Sequence, residues 1–192
     1  MSYTIGVVNL DDPRAQRSRA RLRTAILELA ASKEIGSITM SEVAKTAGVH
    51  RATVYQHFPD VNALATDAME DAVEQVARAA AQCPQDAPRD RTPQQLVELF
   101  GHVAASAALY RRMLGAQGSA LFVARMRERT TSELVRVFRE GKRPKGFDDV
   151  SPEVHAAYLA GALTGVIAHW VTGDESVSAD EMTLAFWRLF RP

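Results

Sequence analysis

The stretch that decides the fold is residues 38–64, ITMSEVAKTAGVHRATVYQHFPDVNAL. Thr39 and Glu42 have the spacing of a capping box, in which a threonine hydroxyl and a glutamate carboxylate satisfy free amides at the start of a helix. The short helix that begins there is predicted to stop before Gly48, and a second helix is predicted over residues 51–58. Two short helices joined by a tight turn have the form of a helix-turn-helix.

The second helix of this pair has an outward face rich in groups that bind nucleic acid. Small and apolar residues can pack the two helices together, namely Val43, Ala44, Ala47, Val49 and Val54. Glutamine and arginine read base edges in the major groove, while hydroxyls and imidazoles hold phosphates. The outward set is His50, Arg51, Ala52, Thr53, Tyr55, Gln56 and His57. The alternative is an ordinary solvated surface helix.

The charge distribution favours the DNA interpretation. The chain has 192 residues and a formal net charge of zero, so its overall charge predicts no polyanionic partner. Residues 13–58, however, carry eight Lys or Arg against three acids, whereas residues 59–192 carry fifteen bases and eighteen acids. Basic charge concentrated at one end is typical of a nucleic-acid-binding domain.

The cysteine content and the N-terminus indicate the compartment. Cys83 is the one cysteine, which excludes a disulfide within the chain and fits a reducing environment. The N-terminus lacks a basic region followed by a long apolar stretch, so it is not a secretory signal. We expect a cytoplasmic protein.

Helical periodicity continues along the rest of the chain. We predict an all-α fold of about nine helices, with a three-helix helix-turn-helix domain over residues 13–60 and a helical effector-binding and dimerisation domain over residues 61–192. Further predicted features are a helix over 16–33 ended by Gly36, a long helix from an Asp60 N-cap to about Gln82, a linker over 83–93, helices over 93–114, 119–140 and 152–172, and a last helix from a Ser178 capping box to about Phe190.

Residues 17–70 resemble the DNA-binding domain of TetR-family transcriptional regulators. The features that carry the resemblance are Ile38-Thr39, Val43-Ala44, Ala47-Gly48-Val49, Thr53-Val54-Tyr55 and His57-Phe58. The resemblance implies a homodimeric repressor whose helix-turn-helix binds a double-stranded DNA operator. It also implies that Tyr55, His57 and Thr39 contact phosphates, while Arg51, Ala52 and Gln56 face bases or the nearby backbone.

Two positions depart from the family pattern. His50 stands where the family often has serine, so its imidazole either caps the second helix or reaches a phosphate directly. Val61 stands where the family often has a phosphate-binding lysine. Arginines between Arg14 and Arg23 could compensate, as an arm that follows the minor groove or the backbone.

The middle helices are expected to enclose a pocket for a small effector, as the resemblance implies. Methionines and aromatic residues suit a small, largely apolar or aromatic molecule. The alternative for each residue is plain core packing, and a lone histidine on an apolar face is more often a core residue. The expected pocket residues are Phe100, His102, Val103, Tyr110, Met113, Phe122, Met126, Phe138, Tyr158 and His169.

Residues 154–172 are strongly apolar, and their length would allow a membrane span. Two histidines, two threonines, a tyrosine and polar capped ends argue against a membrane, so we expect none. Glycines four residues apart permit close approach to another helix, and the resemblance implies that the last two long helices dimerise. The expected dimer residues are Leu159, Gly161, Gly165, Trp187 and Phe190, with packing inside one chain as the alternative.

The sequence contains no recognised catalytic or metal-binding motif. The sequence has no nucleophile elbow, phosphate-binding loop or dinucleotide fingerprint, and His50 and His57 are too far apart for a helical metal-binding pair. We therefore expect no enzyme, no cofactor and no metal. The alternative to a regulator is a helical protein that binds a small molecule or a partner without operator-specific DNA binding, for which Val61 and the neutral net charge are the support.

Overall fold

The computed structural model describes residues 12–84, 87–88, 90–173 and 177–190, and for Phe190 it describes the helical backbone but not the side chain. These residues form ten α-helices and one short 3-10 helix (Ile35–Ser37), with no strand among them. The all-α class is confirmed, with one helix more than predicted. The helices are α1 (Pro13–Ala30), α2 (Met40–Ala47), α3 (Arg51–His57), α4 (Val61–Ala68), α5 (Glu70–Gln82), α6 (Gln94–Ala105), α7 (Ala107–Leu114), α8 (Ala120–Arg139), α9 (Pro152–Thr172) and α10 (Ala179–Phe190).

The chain divides into two compact units between Ala68 and Met69. Unit one contains α1 to α4, and unit two contains α5 to α10. The sequence placed the division at residue 60, before α4. The structure moves it because α4 packs against α1 and the 3-10 helix of unit one.

Unit one is built on α1. Asp12 caps this helix by accepting a hydrogen bond from the Arg14 amide at 2.8 Å, and Pro13 occupies the first turn. Leu22 and Ile26 are fully buried on its inner face. The helix ends at Ala30, earlier than predicted, and Gly36 lies in the 3-10 helix instead of ending α1.

Two helices predicted as continuous are each divided in the structure. The helix expected from Asp60 to Gln82 breaks at Met69, and the helix expected over 93–114 breaks at Ser106. Asp60 does cap the first piece, since its carboxylate accepts a hydrogen bond from the Ala63 amide at 2.8 Å. Neither break has a glycine or proline. At Ser106 the physical reason is a change of packing partner, because α6 contacts α5 and α10 whereas α7 contacts α8 and α9.

Ion pairs join α5 to α8 in unit two. Arg125 donates two hydrogen bonds to Glu70, at 2.8 and 3.2 Å, and Arg129 donates one to Glu74 at 2.6 Å. Hydrogen bonds from Arg129 and Arg78 lower the pKa of Glu74 to about 2. Both pairs join residues 55 apart in sequence, so they set the register of the two helices.

The helix α9 runs through the core of unit two. Among the described residues it is the one helix whose length and mean hydropathy of 1.3 would permit a membrane span. Ala156, Ala160 and Ile167 are fully buried against the chain's own helices. Of the 18-residue stretch of α9 that gives this mean hydropathy, 44% is buried in this way, as expected for a packed core helix.

Candidate nucleic-acid interface

The capping box at the start of α2 forms as the sequence predicts. The Thr39 hydroxyl accepts a hydrogen bond from the Glu42 amide at 3.2 Å, and the Glu42 carboxylate accepts from the Thr39 amide at 2.9 Å. Hydrogen bonds from Lys33 and Thr39 lower the pKa of Glu42 to about 2. The Thr39 hydroxyl also donates to Glu42, at 2.9 Å. A phosphate that accepts from this hydroxyl must therefore displace the carboxylate.

The turn between α2 and α3 depends on Gly48. Its φ of 61° and ψ of 43° lie in the left-handed region, which costs other residues energy. The Val49 amide donates to the Ala44 carbonyl at 3.0 Å, which ends α2. Arg21 of α1 donates to the Gly48 carbonyl at 3.1 Å, and a Cβ on Gly48 would lie 2.7 Å from that guanidinium. The glycine thus provides both the conformation and the space for this contact.

The helix α3 docks through one side and leaves the other open. Val54 is fully buried, and Phe58 just beyond the helix is 6% exposed. Because residues four apart share a helix face, the exposed side chains form one surface of two adjacent pairs. This recognition surface consists of Arg51, Ala52, Tyr55 and Gln56, all exposed.

Two residues of the recognition surface, Arg51 and Tyr55, contact each other. Arg51 donates a hydrogen bond to the Tyr55 hydroxyl at 3.3 Å, and its guanidinium carbon lies 5.5 Å from the centre of the Tyr55 ring. Hydrogen bonding and cation–π attraction thus act on the same pair. The pairing restricts the rotamers of both side chains before any ligand binds.

The remaining candidates on α3 differ in exposure. His50 occupies the N-cap position, yet its imidazole makes no capping hydrogen bond and stays exposed. Of the two roles that the sequence left open for His50, the structure thus excludes the cap. Thr53 and His57 are half-buried. Burial, and secondarily the charge of Arg19, lower the pKa of His57, so its imidazole is neutral at neutral pH.

Three of the five arginines on α1 stabilise unit one. Arg19 pairs with Asp67, and its guanidinium lies 5.7 Å from the centre of the Phe58 ring. Arg23 approaches Asp67 at 3.8 Å, and Arg21 holds the turn at Gly48. Residues 13–23 are helical and do not form an extended arm, while Arg14 and Arg17 in the first turns of α1 are exposed, so their contact with DNA stays a prediction. Sequence reasoning missed these roles because the partners lie 27 and 48 residues away.

Most of the expected pocket residues are packed core in unit two. Phe138 belongs to a buried cluster with α9, whereas Tyr158 is 70% exposed and His169 is exposed, so neither of these two faces the interior. His102 Nε2 and the Tyr110 hydroxyl are buried without a hydrogen-bond partner, and their rings meet edge to face at 6.0 Å. The residues between 0 and 1% exposed are Phe100, Val103, Tyr110, Met113, Phe122 and Met126.

The expected dimer residues separate into two groups. Leu159 is 7% exposed, and Trp187 is fully buried with its indole nitrogen donating to the Pro88 carbonyl at 2.9 Å. The structure places both in the core of unit two, not on a face open to a second copy. Gly161 and Gly165 do border open space, since an added Cβ would meet nothing within 4 Å. The Phe190 side chain lies outside the described residues.

Comparisons with known proteins agree with this arrangement. Residues 22–68 match the model of the bacterial regulatory proteins of the tetR family, and residues 90–191 match the model of a TetR-type transcriptional regulator C-terminal region. No curated protein sequence matches the chain.

Solved structures of TetR-type regulators share the fold. A TetR transcriptional regulator from Streptococcus agalactiae 2603V is 16% identical with a TM-score of 0.65, covering 94% of this chain and 97% of that one. A TetR-family regulator from Syntrophomonas wolfei is 16% identical with a TM-score of 0.67, covering 92% and 94%. NalD, the secondary repressor of the MexAB-OprM multidrug efflux pump in Pseudomonas aeruginosa, is 14% identical with a TM-score of 0.63, covering 92% and 95%.

The two family models match residues in each unit, and the C-terminal model alone covers more than half of the chain. Proteins of this family are transcription factors and not enzymes. The chain therefore belongs to the TetR family of transcriptional regulators and is a DNA-binding regulator.

Proposed function

We propose that the chain is a homodimeric repressor that binds a palindromic DNA operator and releases it when a small molecule binds. The observation that carries this proposal is the exposed recognition surface of α3, held by a glycine turn and a buried Val54. A helix of seven residues makes few contacts by itself. Two copies on a palindromic site multiply the affinity and set the half-site spacing.

Each side chain of α3 has a role in this proposal. Arg51 and Gln56 carry the donors and acceptors that base edges in the major groove match. The exposed Tyr55 and His50, whose imidazole makes no capping hydrogen bond, suit phosphate oxygens. Ala52 allows the helix to approach the bases closely. The half-buried His57 can reach only the backbone at the edge of the contact.

An exposed apolar face on α9 supports dimerisation. Val154 is 62% exposed and Tyr158 is 70% exposed, one helical turn apart. Gly161 and Gly165 continue the same face without side chains. Leu189 on α10 is 79% exposed. Large apolar side chains clustered at the surface mark an interaction site, and regulators of this family act as dimers.

The effector response rests on unit two. The partnerless His102 Nε2 and Tyr110 hydroxyl lie among the buried aromatic residues of α6, α7 and α8. A buried polar group without a partner is costly, so a small, largely apolar or aromatic molecule with one polar group would gain by binding there. Binding would favour a spacing of the two α3 helices that mismatches the operator. NalD, described as a repressor, supports the direction of control. A cytoplasmic location follows from a DNA target.

The test is fluorescence anisotropy with labelled DNA from upstream of the chain's own gene, with an excess of unrelated DNA. We expect specific binding that falls about a hundredfold in Tyr55→Ala plus Gln56→Ala, because each base or phosphate contact contributes about 1–3 kcal/mol. The matched control is Thr24→Ala plus Ser32→Ala, two exposed polar residues of unit one outside the recognition surface. Equal affinity for both DNAs, lost alike with rising salt, would show binding without operator specificity and contradict the proposal.

A further inference from the structure

Two cavities in unit two meet at Cys83. The first, the apolar cavity, has a volume of about 30 Å³ and lies inside the helices. The second, the basic groove, has a volume of about 760 Å³ at the ends of α5 and α8. Cys83 lines both, so the two spaces adjoin at this side chain.

The basic groove is lined by four cations and, among the described residues, by no carboxylate. The cations are Arg136, Lys142, Arg143 and Lys145. Two carboxylates that do not line the groove offset part of this charge. Glu133 and Glu140 each lie 2.9 Å from Arg136, and Glu140 also lies 3.6 Å from Lys142. No described carboxylate lies within ion-pair distance of Arg143 or Lys145, so their charges are available to an anion.

The loop that carries Lys142, Arg143 and Lys145 has a defined conformation. Gly141 and Gly146 flank it with φ of 85° and 88°, in the left-handed region. Arg143 donates to the Val150 carbonyl at 2.7 Å and to His155 Nδ1 at 3.2 Å. The Phe147 ring lies 4.4 Å from the His155 ring. The groove wall is therefore attached to α9 and does not need to be ordered by its ligand.

The apolar cavity contains one polar atom without a partner. Its described walls are almost entirely apolar, and Thr130 lines it with a hydroxyl oxygen that is buried and makes no hydrogen bond in the described structure. A buried water needs two to four polar partners, which these walls do not provide. The apolar walls include Leu96, Leu134, Leu159, Leu163 and Phe186.

Cys83 presents an uncharged surface where the two spaces adjoin. Its side chain is 7% exposed, and burial raises the pKa of its thiol to about 12, so it carries no charge at neutral pH. Ala81 and Val137 add apolar surface to the groove beside it. An apolar chain can follow this surface from the cations toward the cavity.

We propose that unit two binds a small organic anion here, with its charged head among the cations of the basic groove and its apolar tail directed past Cys83 into the apolar cavity. This site is separate from the His102 and Tyr110 pair. The inference rests on the proposed ligand response, and it adds a site and a charge class to that response. The small cavity takes the tip of the tail, while the rest lies on the apolar floor of the groove.

The experiment is titration calorimetry of the full chain with octanoate, with 1-octanol and with inorganic phosphate. Octanoate supplies both head and tail, whereas each of the other two supplies one. We expect octanoate to bind at least about tenfold more tightly than either. Lys142→Gln plus Lys145→Gln should weaken octanoate about tenfold, because two ion-pairing charges are lost. The matched control, Arg127→Gln plus Arg188→Gln, removes two exposed charges of unit two that do not line the groove.

Alkylation of the Cys83 thiol gives an independent test of the same site. Cys83 is the only cysteine in the chain, so its rate of alkylation by a maleimide reports on the accessibility of this site alone. Octanoate should slow the alkylation in the chain and in the control variant, but not in the groove variant. Absent octanoate binding, equal affinity for octanol and octanoate, or an unaffected groove variant would each overturn the inference.

The outcome for the proposed function is read separately, from operator binding in the presence of octanoate. Octanoate that binds at Cys83 without releasing DNA would leave the site standing and count against its coupling to the operator. Release of DNA by another molecule, with no octanoate binding, would leave the repressor standing and remove the site.

Discussion

Replacing Gly48 tests whether the turn of the helix-turn-helix is held by backbone conformation. The residue has φ of 61° and ψ of 43°. An L-residue with a Cβ in this region costs about 1–2 kcal/mol, and asparagine tolerates it better than alanine. We therefore expect Gly48→Ala to lower the free energy of unfolding by about 1–2 kcal/mol and Gly48→Asn by less.

A second effect at Gly48 must be separated from the first. An alanine Cβ would approach Arg21 Nη2 at 2.7 Å, and this guanidinium donates to the Gly48 carbonyl. The contact is with the end of a flexible side chain, so it can be relieved by a rotation that lengthens one exposed hydrogen bond. That loss adds about 0.5–1.5 kcal/mol at most. The conformational cost should therefore be the larger part.

The measurement is urea unfolding followed by circular dichroism at the helical band, with Arg21→Ala as the background for a double-mutant cycle. If conformation dominates, Gly48→Ala costs nearly as much in the Arg21→Ala background as in the unchanged chain. Operator affinity should fall as well, because the turn sets the angle of α3. Equal costs for alanine and asparagine, both abolished by Arg21→Ala, would refute the conformational argument and leave the clash as the cause.

Three further predictions concern a carboxylate, a buried hydroxyl and the α9 face. The Glu42 carboxylate, whose pKa is lowered to about 2, stabilises the fold at pH values above its ordinary pKa of 4.5, and this stability is lost as the pH falls from about 4.5 to 2. Glu42→Gln should therefore flatten the acid-unfolding curve over that pH range. An unchanged acid-unfolding curve would contradict this. Thr130→Val removes a buried hydroxyl without a partner and should raise the free energy of unfolding by about 1 kcal/mol in thermal unfolding. Thr164→Val removes a 2.8 Å hydrogen bond to the Ala160 carbonyl and should lower it by a similar amount. A loss of stability in both variants would show that the Thr130 hydroxyl has a hydrogen-bond partner. Tyr158→Glu should convert the dimer to a monomer in sedimentation, while Leu121→Glu, exposed on α8, should not; a dimer in both variants would exclude the α9 face.

Local signals in the sequence predicted the fold well where a few neighbouring residues suffice. The boxes at Thr39 and Ser178 form with the predicted partners. Ser151 also caps α9, since its hydroxyl accepts from the Val154 amide at 3.2 Å. Each is complete within three or four residues. The recognition surface of α3 is predictable for the same reason, because helical periodicity and one glycine turn determine which side chains point outward.

Local signals failed where packing between distant segments determines the structure. The breaks at Met69 and Ser106 carry no glycine or proline, so periodicity continued through them. The resemblance and apolar character together place residues of the C-terminal half at a dimer face or in a pocket. Apolar character does not distinguish the fully buried Trp187 from the exposed Tyr158.

The sequence by itself determined the helical class, the caps, the helix-turn-helix and the exposed face of α3, because each depends on contacts within a few residues. The tertiary structure alone decided that Arg19 and Arg21 stabilise unit one, where α9 leaves an apolar face open, and that a basic groove adjoins the apolar cavity at Cys83. These features join residues tens of positions apart. Whether such side chains meet depends on how whole helices pack, and the residue spacing within any one segment does not determine that packing.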